Sequence, residues 1–296
     1  MLPAVLTTVL FAATAPIARR AAQLLGPSAA NLARLACATV ILGSWAWLFG
    51  RGLGTVGVWF FASGAVGFGL GGFLMFQALP RAGSNLANLV VQCGSAITAL
   101  VVERLWLGTT LSAWQLTCIA AMLTGIVVGL APTSFPQLPA RAVRLGALLA
   151  ILSALGQGCG AVLSRKAFAT ARAAGASVDP GTATFERVAG GLVIAAVAWL
   201  IARNLRTGAV ASITTRREPA WPWVLANTLT GPVLGVTCMQ WALQTTPAGI
   251  VQTIVAMAPL LTAPVALSLG ESLPRRRYFA GAVLAFAATV VLWRVQ

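Results

Sequence analysis

Residues 67–79 read GFGLGGFLMFQAL, and residues 231–243, which lie 164 positions further on, read GPVLGVTCMQWAL. Both stretches carry a G-x-x-x-G element that is followed, four residues on, by M-x-x-A-L. Further matches occur in the same order on either side, pairing 19–21 with 165–167, 30–34 with 183–187, and 107–111 with 269–273. Because the offsets change smoothly with loop length, the series indicates an internal repeat.

The composition places this repeat in a membrane. Of 296 residues, 58% are hydrophobic and 8% are charged, and the mean hydropathy is +0.88. Soluble domains carry roughly a quarter charged residues, and disordered chains need low hydrophobicity. The chain has no histidine, which excludes histidine-based catalysis, metal binding and proton relays. A polytopic membrane protein remains.

Apolar runs of about 20 residues, the length that spans a bilayer as a helix, predict ten transmembrane helices. Period-2 alternation is missing, so a β-barrel is not expected. The predicted spans are Leu2–Ala18, Asn31–Phe49, Val56–Leu79, Ser84–Val102, Leu111–Leu130, Leu145–Ser164, Ala183–Ala202, Trp221–Leu243, Gly249–Leu269 and Tyr278–Trp293.

Each repeat holds five of these spans. The first repeat covers residues 1–135 and the second covers residues 136–296. Because five is odd, the second repeat enters the membrane in the opposite sense. The sequence therefore predicts an all-α membrane protein with two inverted five-helix repeats around a central cavity. Such repeats are typical of secondary transporters, although a duplication that serves stability alone is an alternative.

These features resemble the drug/metabolite transporter superfamily in its ten-helix EamA-type form, and more narrowly the YddG-type amino-acid exporters. The resemblance covers the whole chain. It rests on the paired repeats, Arg34 and Arg187 early in the second helix of each repeat, residues 25–27 (LGP) and residues 269–273 (LGESL). The first repeat departs from the last motif, with Thr109 where the second has Glu. The resemblance implies a helical basket with a central cavity that exports small metabolites.

Polar side chains in the fourth predicted span mark a candidate substrate site. Asn85, Asn88, Gln92 and Ser95 recur on one narrow face of a helix. Gln252 matches Asn88 at the offset of 164, so amides are expected on both sides of the pseudo-two-fold axis. Such a stripe faces protein or water rather than lipid. It either lines a cavity or forms hydrogen bonds between helices.

Further candidates for substrate binding lie in the third, sixth and eighth spans. Gln77 and Gln240 occupy matching places in the two repeats, with Trp241 beside the second. An indole and amides could hold an amino acid, but Trp241 could equally be an interfacial anchor. Gln157 shares a helix face with Ser153, where a cavity role and interhelical hydrogen bonding are equally open.

Glycines and prolines within the spans indicate close helix packing or hinges. The two G-x-x-x-G elements favour packing, and sliding at these contacts during transport is a further possibility. The residues of this group are Pro16, Gly67, Gly71, Gly231, Pro232, Gly235 and Pro259.

The charged residues fall at or near the ends of the predicted spans. This holds for the five carboxylates, and Arg34 and Arg187 stand at helix starts. The transport route is therefore expected to be polar and uncharged, suited to a zwitterion or a neutral solute. No proton carrier, metal site, cofactor or catalytic residue is expected, and the five cysteines are read as reduced and buried.

Positive residues also give an orientation. Loops after the odd spans hold twelve Lys and Arg, against six after the even spans and at the C-terminus. The positive-inside rule then favours both termini outside. Because these residues are dispersed between apolar runs, nucleic-acid binding is not expected.

The leading interpretation is a bacterial inner-membrane exporter of neutral or zwitterionic metabolites, above all amino acids, that works as a monomer within the lipid bilayer. The alternative is a multidrug or nucleotide-sugar carrier of the same superfamily. An integral-membrane enzyme is disfavoured because H-E-x-x-H and G-x-S-x-G are missing. A purely structural or receptor role would leave the polar stripe unexplained.

Overall fold

The computed structural model describes residues 1–131, 139–205, 219–262 and 276–294. Within these ranges the regular secondary structure is helical and no strand is present, which confirms the all-helical prediction. We number the helices α1 (Leu2–Leu25), α2 (Pro27–Leu48), α3 (Gly57–Ala82), α4 (Ser84–Leu107), α5 (Ala113–Leu130), α6 (Ala140–Ala173), α7 (Pro180–Leu205), α8 (221–245), α9 (Ala248–Thr262) and α10 (Arg276–Arg294).

Each of these helices lies on one predicted span. In the described residues, α1 to α7 and α10 are long and apolar enough to cross a bilayer. Over its described length α9 is shorter, and it contains a turn at residues 256 and 257. The last residues of the predicted ninth span, and the predicted repeat boundary at 135/136, lie outside the described residues. The count of ten transmembrane spans stays a prediction.

Glycines in the left-handed region make the shortest connections. Gly26, with φ of 83°, is the one residue between α1 and α2, and Gly83, with φ of 79°, is the one residue between α3 and α4. Residues with a Cβ rarely adopt these angles. Pro27 occupies the first position of α2, where a missing N–H costs nothing.

Two π-helical segments interrupt α3 and α8 at matching places. They cover Ala65–Leu70 and Leu229–Gly235, and their first residues are 164 positions apart. π-helices make up well under 1% of residues and often mark functional sites. Both segments coincide with the G-x-x-x-G elements, so the glycines predicted as packing or hinge positions lie in or beside widened turns.

The helices α2 and α7 pack against each other in antiparallel fashion. A Cβ on Gly50, just after α2, would lie 2.4 Å from Oγ1 of Thr182 at the start of α7. Leu35, near the start of α2, shares a hydrophobic cluster with Leu192, further along α7. The last residues of one helix therefore lie beside the first residues of the other.

The same antiparallel arrangement recurs between α5 and α10. A Cβ on Gly125 would lie 2.6 Å from the carbonyl oxygen of Gly281 and 2.9 Å from the backbone nitrogen of Ala285, and a Cβ on Gly129 would lie 3.6 Å from the carbonyl oxygen of Tyr278. Small residues at such contacts let two backbones approach closely. α4 likewise packs against α9, so three helices each contact the helix five places later in the chain.

The centre of the bundle is occupied by α9. All eight residues from Ala248 to Val255 are buried, and the helix packs against α1, α4 and α6. The outer surface instead exposes apolar side chains, which is expected where a bundle faces lipid. Several indoles near helix ends are exposed, as is typical of the membrane interface: Trp106, Trp114, Trp221 and Trp293.

Candidate functional site

Arg187 on α7 is the centre of a polar cluster inside the bundle. Its side chain is 2% exposed, and Nη1 donates to Oγ of Ser164 on α6 at 3.1 Å and to Oε1 of Gln240 on α8 at 3.2 Å. Ser164 in turn shares a hydrogen bond of 2.8 Å with Ser63 of α3. The guanidinium lies over the ring of Phe68, with Cζ 4.8 Å from the ring centroid. Three helices other than its own therefore hold this one side chain.

The cluster keeps unused donors. Within the described residues, Nε of Arg187 and Nε2 of Gln240 are buried without a hydrogen-bond partner. No described carboxylate lies within 4.0 Å of the Arg187 guanidinium. Burying an unpaired charge is costly unless something else compensates it. The cluster combines a positive charge with unused N–H donors, so it can bind an anionic group.

Arg34 on α2 lines a cavity of about 220 Å³ between α1, α2, α3 and α8. Nε of Arg34 donates to Oδ1 of Asn31 at 3.0 Å, and Thr14 on the opposite wall is hydrogen-bonded to Thr230 at 3.0 Å. At about 30 Å³ per water, the space corresponds to roughly seven water molecules. The residues lining it are Phe11, Thr14, Ala15, Arg34, Leu35, Phe68, Gly231, Pro232 and Val236.

Both arginines lie deeper than the sequence predicted. The helices begin at Pro27 and Pro180, so Arg34 and Arg187 each stand seven residues beyond the first helical residue. At 1.5 Å per residue this is about 10 Å along the axis. The expectation that basic residues stay at helix starts is therefore wrong for these two, because the helices begin three or four residues before the predicted spans.

A second polar group joins α3, α6 and α9. Nε2 of Gln252 donates to the carbonyl oxygen of Gln157 at 3.3 Å, and Nε2 of Gln157 lies 3.4 Å from Oγ of Ser153. Ser153 donates to the carbonyl oxygen of Gly71 at 2.7 Å. Hydrogen bonds bring these predicted residues together: two run between helices, and the one from Gln157 to Ser153 lies within α6. Cavity lining and interhelical bonding therefore both stay predictions for these residues.

The predicted stripe on α4 divides between contact and partial exposure. Ser95 is 2% exposed and faces α6, because a Cβ on Gly158 would lie 2.6 Å from its carbonyl oxygen. Asn88 and Gln92 are half-buried. The side chain of Asn85 lies outside the described residues. Cavity lining by this stripe stays a prediction.

Gln77 and Trp241 lie apart from the Arg187 cluster. Oε1 of Gln77 accepts from Arg81 on its own helix at 2.9 Å, whereas Gln240, its match in the second repeat, accepts from Arg187. Trp241 is 49% exposed on the outer face of α8, although Gln240 beside it is fully buried. That position favours the anchor interpretation of Trp241 over substrate stacking.

A model of the EamA-like transporter family matches residues 1–130 and 144–294. The chain belongs to this family. EamA-like proteins are membrane transporters of the drug/metabolite transporter superfamily and are generally not enzymes, so the predictions of a multi-pass membrane protein and of a transporter are confirmed.

Comparison with solved structures supports the fold alone. One structure, described as "Crystal structure of protein", superposes on this EamA-like chain with a TM-score of 0.71 at 20% sequence identity. The match covers 98% of this chain and 94% of the other. No curated protein matches.

Sequence reasoning missed a further polar network in this EamA-like transporter. Glu103 is 2% exposed, and its Oε2 accepts from the backbone N–H of Gly249 at 3.1 Å, in the first turn of α9. Its other oxygen lies 3.7 Å from Nε of Arg165, whose Nη1 donates to the last carbonyls of α8 at Leu243 and Gln244. Carboxylate at a helix start and guanidinium at a helix end both match the helix dipole. The network joins α4, α6, α8 and α9.

A further cavity of about 530 Å³ lies at the edge of the transporter between α4 and α5. Its wall is mainly aliphatic, with Leu100, Leu105 and Leu116 among the lining residues, and Arg104 at its rim. Its lining residues lie between positions 100 and 116, and none of them belongs to the Arg187 cluster or lines the Arg34 cavity. A surface of this kind suits a lipid chain rather than a polar solute.

Proposed function

We propose that this EamA-like transporter exports small neutral or zwitterionic metabolites, above all amino acids, across the bacterial inner membrane. The observation that carries the proposal is the half-open cavity of about 220 Å³, whose walls come from helices of both predicted repeats. Its size suits a small metabolite, and its walls combine apolar side chains with few polar groups, as binding sites for small molecules do. The proposal includes kinship with the YddG-type amino-acid exporters.

The proposed mechanism is alternating access between two inverted five-helix repeats. Three observations support the inversion: the π-helical segments 164 positions apart, the antiparallel packing of α2 with α7 and α5 with α10, and family matches to both halves of the chain. Rocking of one repeat against the other would open the cavity to each side in turn.

Uptake of labelled leucine and phenylalanine into proteoliposomes tests this function. We expect uptake above that of empty liposomes, with competition by other neutral amino acids and none by quaternary ammonium drugs or nucleotide sugars. Competition by the last two groups in place of amino acids would instead support the multidrug or nucleotide-sugar carrier. No uptake of any neutral amino acid would overturn the proposal.

Substitutions test the predicted site residues separately. Asn88→Ala and Gln252→Ala are expected to lower uptake if these amides contact the solute. Thr124→Ala is the matched control, because Thr124 is exposed on α5 and bonds only the carbonyl of Ala120 among the described residues. Uptake that is equal in all three variants and the unsubstituted protein would remove Asn88 and Gln252 from the site.

A further inference from the structure

We infer that the cavity recognises a carboxylate group, held by Arg34 on one side of Phe68 and by Arg187 on the other, so that the transported solute is a small carboxylate with an apolar body. This inference rests on the proposed transport of small metabolites and makes a carboxylate the group that the site recognises. It replaces the uncharged route expected from the sequence with one that carries two positive charges.

The first support is the absence of counter-charge. Among the described residues, neither Arg34 nor Arg187 has a carboxylate within 4.0 Å. Glu186, the neighbour of Arg187 in sequence, turns away and accepts from the backbone N–H of Gly54 at 2.6 Å. Ionisable side chains inside a membrane protein usually mark the path of a solute. Two guanidiniums without counter-ions select for an anionic group.

The second support is the set of donors left over around Arg187. Its Nε and the Nε2 of Gln240 are buried and unpartnered in the described part of the chain. A carboxylate has two oxygens that accept several hydrogen bonds, and it pairs with guanidinium in a fork geometry. An uncharged hydroxyl or amide would satisfy the donors but would leave the charge unpaired.

The third support is that each arginine lies beside a glycine at the matching position of the two predicted repeats. A Cβ on Gly67 would lie 3.4 Å from Nη2 of Arg187, and a Cβ on Gly231 would lie 3.7 Å from Nη1 of Arg34. Gly67 and Gly231 are 164 positions apart, and each lies in a π-helical segment. The two guanidiniums are thus equivalent sites, one for each repeat.

Phe68 connects the two sites. Its ring lies under the guanidinium of Arg187 and also lines the cavity that contains Arg34. Rotation of this ring, on a widened helical turn, opens the cavity toward Arg187 and the free amide of Gln240. A carboxylate would then pass from Arg34 to Arg187 as access changes sides.

The rest of the cavity determines the body of the solute. Apart from Arg34, the wall is made mainly of apolar side chains such as Phe11, Leu35 and Val236, with Thr14 adding a hydroxyl that is already bonded. No described carboxylate lines it. The site therefore suits a monocarboxylate with an aliphatic or aromatic remainder, and it does not require an ammonium group.

Competition against labelled leucine in proteoliposomes tests the inference. The competitors are 4-methylpentanoate, which keeps the carboxylate and lacks the amine, and leucinamide, which keeps the amine and lacks the carboxylate. We expect 4-methylpentanoate to compete and leucinamide to be at least about tenfold weaker, since leucinamide cannot make charge-assisted hydrogen bonds to the guanidiniums. Leucinamide that competes as well as leucine would overturn the inference and leave the proposed function standing.

Variants assign the effect to the arginines. Arg34→Gln is expected to raise the half-saturating concentration of 4-methylpentanoate about tenfold, with partial recovery in Arg34→Lys. Arg104→Gln is the matched control, since Arg104 is exposed and lies at the peripheral cavity. Unchanged half-saturation in Arg34→Gln would overturn the role of Arg34.

Arg187 needs a variant that keeps the fold. Arg187→Lys retains the buried charge, and its folding is checked by gel filtration in detergent. We expect Arg187→Lys to transport more slowly but to keep the preference for carboxylates. Phe68→Leu loses the ring over Arg187, and we expect the same result: slower transport with an unchanged preference. Equal rates in all three proteins would overturn the transfer between the two sites. Transport of labelled 4-methylpentanoate without transport of leucine would support the inference while refuting the proposed function.

Discussion

Asp179 shows how a single carboxylate fixes a helix junction. It accepts hydrogen bonds from the backbone N–H groups of Arg51, Gly181 and Thr182, from the Thr182 hydroxyl and from the indole of Trp45. Gly181 and Thr182 are in the first turn of α7, so Asp179 caps that helix and ties it to the end of α2. Partial burial raises the pKa of this carboxyl, but the hydrogen bonds from Thr182 and Arg51 prevail and hold it below its ordinary value of 3.8.

Asp179→Asn is expected to lower the thermal stability of the detergent-solubilised protein at pH 7. Asparagine keeps the shape but replaces one acceptor oxygen with a donor that faces other donors, which costs about 1 kcal/mol as for other lost caps. Because the folded-state pKa is depressed, the stabilisation by Asp179 is present above the ordinary value and disappears as pH falls through the folded-state value. Unfolding temperatures of both proteins between pH 7 and pH 3 check this. A difference that stays constant down to pH 3 would contradict it.

Adjacent residues show what could not be predicted at this scale. Gln240 and Trp241 were both predicted to bind substrate, yet one is fully buried beside Arg187 and the other is half-exposed. Hydropathy does not reveal which side of a helix faces its neighbours when both sides are apolar. The π-helical segment adds a residue to the turn before them, which shifts the register that a regular 3.6-residue period would assign.

Backbone-to-backbone contacts at glycines hold α3 against α7. A Cβ on Gly64 would lie 1.6 Å from the carbonyl oxygen of Arg187, and one on Gly190 would lie 2.1 Å from the carbonyl oxygen of Phe61. The backbone of α3 therefore touches the backbone of Arg187 itself. The position of the binding groups depends on these glycines.

Gly64→Ala is expected to destabilise the protein by about 1–3 kcal/mol, as overpacking of a tight contact does. Gly72→Ala on the same helix is the matched control, because its Cβ would meet no heavy atom within 4 Å outside its own turn. Thermal unfolding in detergent measures both variants. Equal unfolding temperatures for the two variants would show that α3 and α7 can move apart without loss of stability.

Most helices could be predicted, because apolar runs of bilayer length leave few alternatives. The predicted spans coincide with α1 to α8 and α10 and differ from these helices mainly at their ends. Those ends mattered for Arg34 and Arg187, which moved from the predicted helix starts to seven residues inside. The bonds from Glu103 to α9 could not be predicted, since they join residues 146 positions apart.

At the scale of the whole molecule, the pattern of contacts repeats between the two halves. α3 lies against α6 and α7, and α8 lies against α1 and α2, so each pair of neighbours has its match five helices away. Each repeat contributes an arginine on its second helix and a π-helical segment on its third. If the two predicted repeats are inverted, as we propose, the two arginines offer an equivalent binding group to each side of the membrane.

Reporter fusions test the orientation and the inversion together. With twelve basic residues in the loops after odd spans and six in the others, both termini are expected outside. Alkaline phosphatase fused after Gln296 is then active, and green fluorescent protein at the same place is dark. Five spans separate the N-terminus from Ala131, so fusions after Ala131 are expected to give the opposite pair of signals. If both fusion points gave the same signals, residues 132–296 would cross the membrane an even number of times, which contradicts five spans in the second repeat. The two repeats would then differ in topology, and the transfer of a carboxylate between equivalent sites would lose its geometric basis.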